Sequence, residues 1–428
     1  MTSAPTDATA TPSGPPARPP LMPLDEALAR VLAQATPALE PEWVSTFEAD
    51  GRVLARDVAS GLAVPPLDNS AMDGYAVHAA DCAAPGAELG VAQRIAAGSV
   101  GTPLAPGSAA RIFTGAPVPP GADAVVMQEE TQALAEGACV RIQVAVKAGQ
   151  CIRKAGEDVA RGAVILRRGE RLTPAGIGLA AGVGLDRLAV ARRPRVALLQ
   201  TGDELVTPGT VAPQDMQPGM IYNSNRFFLR ALLQRLGCAV VDQGVVPDDR
   251  AATTEALRAA AADCDVLLTS GGVSVGEEDH VKPAVRELGA LDLWSIAIKP
   301  GKPFACGHVR RADGSAAHFI GLPGNPVSSF ITFLLLVRPF LLRLQGVVDV
   351  ALPTLSMRAD FQLGRPDKRR EFLRVRRNAE GGLDLFPNQG SGVLTSMHWA
   401  DGLVDHPAGS TIATGDLVRF IPLSELLA

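Results

Sequence analysis

The sequence predicts a multidomain chain of the α/β plus β class, and three observations carry that prediction. From Arg195 to Gly346, apolar strand-like runs alternate with helical runs, the pattern of a doubly wound α/β domain. From Pro65 to Gly149 the chain is rich in Gly, Pro and Val in short alternating runs, which reads as a small β domain near the N-terminus. After Gly346 the helical pattern fades. Short runs with turn signals, Glu371 to Arg376 and Gly415 to Ile421, predict a C-terminal β-barrel-like domain.

Taken in order, residues 1–20 are Ala, Thr, Ser and Pro with few large apolar groups. They are expected to form a disordered tail, because they bury too little surface to offset chain entropy. Leu24 to Ala35 repeats apolar residues at helical spacing. Trp43 to Ser60 is expected to continue as strand and helix. Asp123 to Gln128 reads as a strand, and Pro174 to Gly184 as a glycine-spaced helix. The basic run Arg192-Arg193-Pro194-Arg195 marks a boundary. Beyond it, strands are expected at 195–200, 239–246, 265–270, 292–298 and 317–321. Helices are expected at 225–236, 251–262, 279–288 and 326–344. The domain division expected is 21–45 and 148–191 as two segments of a linker domain, 46–147 as the small β domain, 192–346 as the α/β domain and 347–428 as the last β domain.

Bulk properties exclude several classes. With 47% hydrophobic and 20% charged residues, the chain has the composition of a globular protein. A net charge of −5 argues against general nucleic-acid affinity, so an anionic ligand needs a local basic patch. The cysteines at 82, 139, 151, 238, 264 and 306 form no CxxC pair. A disulfide framework or zinc site is not expected, and a reducing cytoplasm fits best. The N-terminal stretch lacks the apolar segment of a signal peptide. Phe330 to Leu344 is broken by Arg338-Pro339 and reads as a buried helix, so no membrane span is expected.

The most informative run is Asp265 to Asp279, a buried strand that stops in Gly271-Gly272-Val273-Ser274-Val275-Gly276 and leads into acids and a helix. Glycines allow a sharp turn and close approach to a ligand. The helix start suits phosphate, and carboxylates 277 to 279 suggest a divalent cation as mediator. A tight turn with a helix cap explains the same residues. Other polar clusters follow the other predicted strands: Thr201-Gly-Asp-Glu204, Pro247-Asp-Asp249, Lys299-Pro-Gly-Lys302 and Gly321-Leu-Pro-Gly-Asn-Pro326. Parallel crossovers bring such ends to one edge of a sheet, which predicts a shared binding site. Only six of the 40 cations are lysine, and Lys299 and Lys302 stand close together, as a compact charge for an oxyanion would require. Asn325-Pro326 reads as an N-cap followed by proline at the first helical position. The loops Pro65 to Tyr75 and Ile112 to Pro117 read, by themselves, as turns.

Together these runs resemble the molybdopterin molybdenumtransferase family, whose relatives include the C-terminal domain of gephyrin. The matching motifs are DNSAMDGYAV from Asp68, FTGAPVPPGADAVV from Phe113, IRKAGEDV from Ile152, TGDEL from Thr201, SGGVSVGEEDHVK from Ser270, IKPGKPFACG from Ile298 and GLPGNPVS from Gly321. They follow the family's order over residues 22 to 428.

The resemblance implies an elongated homodimer with an α/β molybdopterin-binding domain and a shared active site. It implies insertion of molybdate into adenylylated molybdopterin with release of AMP and molybdenum cofactor, assisted by magnesium or a similar divalent cation. The substrate would come from an upstream molybdopterin adenylyltransferase. Carried over residue by residue, Asp73, Thr114, Asp158, Glu204 and Asp248 belong to the catalytic cleft, and Glu204 and Asp279 to the metal. Substrate binding falls to Ser270, Gly271, Gly272, Ser274, Gly276, Lys299, Lys302, Pro323, Gly324, Asn325 and Pro326. Arg374 and Ser391 fall on the molybdate side. A non-catalytic dimeric scaffold and a nucleotide hydrolase on the same α/β domain are the alternatives. Retention of Asp73, Glu204, Asp279 and both lysines favours the transferase.

Overall fold

The computed structural model describes residues 21–36, 39–272 and 280–427. The chain divides into two units. One takes the chain up to Pro41 and again from Ala191 onward; the other is Glu42–Val190.

The first unit is built on a six-stranded sheet. Its order is Ala239–Val246, Arg195–Thr201, Val266–Ser270, Ala316–Leu322, Pro303–Arg310, Gly289–Ser295. The first four strands run parallel. Val266 and Leu268 pack into the core on one face and Leu267 into the core on the other. A strand covered on both faces reads in sequence as an unbroken apolar run, as this one does.

One strand escapes the sequence pattern. Pro303–Arg310 pairs antiparallel with both neighbours. It contains a proline and Gly307, both of which weaken a strand signal. A Cβ at Gly307 would meet the Ala290 carbonyl oxygen at 2.0 Å, so only glycine fits the close approach. Two reversals of direction return Gly289–Ser295 to the sense of the parallel strands. Its C-terminal end therefore lies at the same sheet edge as theirs, and the lysine run that follows joins that edge.

The helices flank the sheet near their expected places: Ser224–Arg235, Arg250–Asp263, Val281–Leu288 and the long apolar segment Pro326–Leu344. The last does not break at Arg338-Pro339. It passes through a π turn at Phe333–Val337, where Arg338 N–H bonds back to the Phe333 carbonyl. The wider turn accommodates a proline that has no N–H and crowds the preceding turn. Most of the segment is buried inside the unit. Helix Leu24–Gln34 adds Leu24, Ala27 and Val31 to the same core.

The C-terminal sheet runs Ile298–Lys299, Arg370–Arg377, Gly402–His406, Leu417–Pro422, Leu355–Arg358. Its first strand belongs to the lysine run, so Lys299 pairs in register with Glu371. The core is continuous: Phe372, Leu403 and Ile421 pack with Phe304, Leu322 and Phe340.

The second unit holds a six-stranded sheet in the order Ala124–Met127, Gly74–Val77, Ser108–Ile112, Glu88–Ile95, Cys139–Ile142, Thr131–Leu134. Separate apolar clusters pack on it, around Tyr75, Val77 and Val126 and around Ala76, Ile95 and Ile112. Helix Pro174–Gly182 is capped by Thr173, whose hydroxyl accepts from Gly176 N–H at 3.2 Å. The helix expected within Trp43 to Ser60 reduces to a single 3₁₀ turn, Thr46–Glu48. Strand Pro41–Ser45 and the bridges at Val53 and Leu54 take the rest of the pairing.

Candidate active site

Two adjoining chambers open in the first unit. The larger, about 630 Å³, is lined by strand ends and by the loops that leave them. Gln200, Thr201 and Glu204 come from the first strand, Ser270, Gly271 and Gly272 from the next, and Pro323, Gly324, Asn325 and Pro326 from the strand that leads into the long helix. This is the convergence that parallel strands impose at their C-terminal edge. The second chamber, about 330 Å³, is lined by Lys299, Gly301, Lys302, Arg369, Gln389, Gly390 and Ser391 among others. Pro303, Asn325 and Ser328 line both.

In the first chamber, Gly271 and Gly272 hold φ of 104° and 66°, in the left-handed region that favours glycine. A Cβ on Gly272 would stand 2.6 Å from Val281 Cγ2, so the loop lies directly on the following helix. Ser274, Gly276 and Asp279 lie outside the described residues. The helix starts at Val281 with His280 at the N-cap, two residues later than expected.

Ser270 is 3% exposed and acts as a brace. Its hydroxyl accepts from Asn225 Nδ2 at 2.8 Å and donates to the Pro323 carbonyl at 3.1 Å, and Asn225 also holds the Gly324 carbonyl at 2.7 Å. The Gly271 and Gly324 loops are thereby fixed to each other. Glu204 lines the chamber with an exposed carboxylate. Asp248 faces the Thr201-Gly-Asp-Glu turn instead: Asp203 N–H donates to its carboxylate and Asp248 N–H donates to that of Asp203, both at 3.2 Å. Its carboxylate shapes the turn that presents Glu204.

The second chamber gathers cations. Lys299 Nζ lies 2.7 Å from Glu371 and 3.3 Å from Asp367. The Glu371 carboxylate, followed by Asp367, holds its ammonium above the usual lysine range. Arg369 also pairs with Asp367, at 3.2 Å, which with Lys299 holds that carboxyl well below its ordinary range. Lys302 is exposed and has no carboxylate partner among the described residues.

Two expectations shift here. Arg374 does not line the chamber: it is 1% exposed, and its guanidinium donates to Ser396 Oγ, the Phe372 carbonyl and the Gly390 carbonyl at 3.2, 3.0 and 3.3 Å. Burial pushes it down to about 10, still a cation at neutral pH. Its effect on the chamber passes through the loop it pins, which carries Gly390 and Ser391. Asn325 stands at the N-cap with Pro326 behind it, but its side chain makes no cap bond. It donates to Ser391 Oγ at 3.1 Å instead, joining the proline loop to the loop that carries Ser391.

Asp73, Thr114 and Asp158 belong to the second unit, where the loops that read as turns converge. Asp73 Oδ1 accepts from both the N–H and the hydroxyl of Thr114, each at 2.8 Å. These bonds keep the carboxyl ionised to lower pH than usual. Ser70 N–H bonds Ala116 and Gly115 N–H bonds Ser70, so this loop and the Thr114 loop are stitched together. Asp68 ties in the third: it accepts from Ala155 N–H at 2.9 Å and pairs with Lys154 at 2.8 Å. Asp158, exposed, follows that turn, its N–H held by the Val64 carbonyl.

Sequence reasoning missed Gln200, Asn223, Asn225, Ser328 and Arg369. Gln200 left a signal, a polar residue that follows the continuous apolar run Val196 to Leu199 while still within its strand. Arg369 left none, since it sits in a basic run that reads as solvated surface.

Comparisons with known proteins extend this geometry over the whole chain. Residues 22–184 match the family model described as the MoeA N-terminal region (domain I and II), 197–343 the "Probable molybdopterin binding domain", and 356–423 the MoeA C-terminal region (domain IV). The fold and site thus define an enzyme of the molybdopterin-binding α/β class carrying accessory domains on both sides. The molybdopterin molybdenumtransferase of Haemophilus influenzae is 37% identical over 95% of this chain and 100% of its own length. Molybdopterin molybdenumtransferase 2 of Mycobacterium tuberculosis is 37% identical over 91% of this chain and 98% of its own. Among solved structures, a molybdopterin biosynthesis MoeA protein from Pyrococcus horikoshii OT3 superposes with a TM-score of 0.81 at 29% identity, covering 94% of this chain and 100% of that one. The chain belongs to the molybdopterin molybdenumtransferase family.

Proposed function

We propose that this protein inserts molybdate into adenylylated molybdopterin, cleaving the adenylyl phosphoanhydride and releasing AMP and molybdenum cofactor. The observation that carries this reading is the pair of chambers with a common wall of Pro303, Asn325 and Ser328. Two reactants held side by side lose little further freedom on the way to reaction. The chamber with Lys299, Lys302 and Arg369 suits a compact tetrahedral oxyanion. Lys302 meets the oxyanion directly. Lys299, neutralised by Glu371 and Asp367, fixes the chamber's shape.

A divalent cation fits the donor chemistry of the other chamber. Magnesium binds through one or two carboxylates together with substrate phosphates, and Glu204 offers an exposed carboxylate there. Asp279 is the second ligand proposed. When bound, such a cation offsets charge on the phosphoanhydride oxygens. No cluster of three or more metal-ligating side chains occurs among the described residues.

Asp73, Thr114 and Asp158 complete the cleft in this proposal from the second copy of a homodimer. The proposed domain division stays as 21–45 with 148–191, 46–147, 192–346 and 347–428. The substrate would be supplied by a molybdopterin adenylyltransferase, and six free cysteines support a reducing cytoplasm as the site of the reaction.

The test is AMP release by the purified protein. Release that requires both molybdate and adenylylated molybdopterin is expected. Release without molybdate would make the protein a nucleotide hydrolase, and no release would make it a scaffold.

A further inference from the structure

The first chamber carries two side-chain amides whose N–H groups find no partner among the described residues. Gln200 lies on strand Arg195–Thr201, on the face that bears Val196 and Leu198 in the core. Alternation would place a third apolar residue there. Gln200 is instead a buried amide, 1% exposed, whose Nε2 group finds no acceptor among the described residues. Asn223 is likewise 1% exposed. Its Oδ1 caps helix Ser224–Arg235 by accepting from Arg226 N–H at 3.1 Å, which fixes the amide's orientation, and its Nδ2 finds no acceptor among the described residues. Both residues line the same chamber. A buried donor without a partner is destabilising, and native folds keep few of them. Two on one cavity wall point to a ligand that accepts from them.

The chamber's chemistry narrows that ligand. Its described lining holds neither lysine nor arginine, and its carboxylate is Glu204. Neutral amide donors beside a carboxylate suit an uncharged ring with lone pairs rather than a bare oxyanion, for which the cations stand next door. We propose that Gln200 and Asn223 donate to the acceptor edge of an uncharged nitrogen heterocycle of the substrate, seating that ring in the first chamber. The inference rests on the reaction proposed above, whose substrate carries two such rings, a pterin and an adenine.

Calorimetric titration of the full chain with 6-hydroxymethylpterin and, separately, with adenosine tests the clamp and tells the rings apart, since both probes lack phosphate. Gln200→Met keeps the side-chain length and removes the donor. Asn223→Asp keeps the cap acceptor and removes the donor. The wild type is expected to bind one of the two rings, and each variant to bind it roughly fivefold more weakly or worse. Gln200→Met should melt at or above the wild-type temperature, because it removes an unpaired buried amide. Inorganic molybdate, which reads the second chamber, should titrate all three proteins alike. Equal ring binding by all three, or binding of neither ring by the wild type, overturns the clamp. A lower melting temperature in Gln200→Met with unchanged ring binding would make the amide structural. AMP release that ignores molybdate would overturn the proposed reaction while leaving a ring-binding result to stand or fall by itself.

Discussion

Lys299 and Lys302 are three residues apart and chemically alike, yet they sit in different electrostatic surroundings. Lys299 satisfies Glu371, which is 4% exposed. Removing it leaves a buried carboxylate without its cation, so Lys299→Ala should lower unfolding stability by about 1.5–3 kcal/mol in denaturant titration. Lys302 has no such partner among the described residues. Lys302→Ala should leave the melting temperature unchanged and raise the KM for molybdate by on the order of tenfold or more, the loss of one charge-assisted contact. Equal stability losses in the two variants would contradict this division. His318 gives a pH signature. It packs against the Phe340 ring at 5.1 Å, and burial holds its imidazole below the usual histidine range. The folded state thus resists a proton that the unfolded chain accepts, so stability is complete above the ordinary imidazole value and falls as pH drops through it. The melting temperature should decline between about pH 7 and about pH 5.5, and His318→Gln should flatten that slope. An identical slope in the variant would assign the pH response to other groups.

At the scale of elements, the site depends on loops braced from behind. Strand Arg370–Arg377 holds the loop of the second chamber at several points. Arg374 N–H donates to Gln389 Oε1 and Gln389 Nε2 donates to the Arg374 carbonyl, at 2.9 and 3.1 Å, while the guanidinium reaches Gly390. A lysine in its place is a point charge that cannot span these acceptors. Arg374→Lys should therefore cost about 1–3 kcal/mol of stability and raise the KM for molybdate together with it. A KM change at full stability would instead mean that Arg374 contacts the oxyanion. The Ser270, Asn225 and Gly324 bonds play the same part for the glycine loop. In both places a buried polar side chain replaces the apolar packing that a strand end lacks.

For the molecule as a whole, the proposed shared site makes a sharp demand. Asp73 and Lys302 would meet only across two copies. Mixing Asp73→Asn with Lys302→Ala, assayed at molybdate too dilute for either variant alone to release AMP, would give heterodimers in which one site carries both defects and the other carries neither. With random exchange, half the dimers are mixed and one site in each is intact, so roughly a quarter of full AMP release should return. No recovery after verified subunit exchange would place each site within one chain. Light scattering should show a dimer at micromolar concentration.

By itself, the sequence determined the class of the fold and the polar strand ends that line the first chamber. The buried run Val266 to Thr269, the helical spacing of Leu24 to Ala35 and the polar strand ends are local patterns, and local patterns reflect burial periodicity directly. The order of seven motifs determined the family. Tertiary structure decided the rest, because the rest depends on partners distant in the chain. Pro303–Arg310 became a strand only by lying between two others. The lysine run became an edge strand of the C-terminal sheet, which paired Lys299 with Glu371 and Asp367 and left Lys302 without a carboxylate partner among the described residues. Arg374 became a brace behind the loop it was expected to assist, and Asn325, still lining both chambers, became a tie between two loops, because Gly390 and Ser391 came within reach. Gln200 and Asn223 entered the chamber because a strand end and a helix cap met there. Hydrogen bonding and charge pairing act over a few ångströms, so a side chain's role is set by what the fold brings beside it.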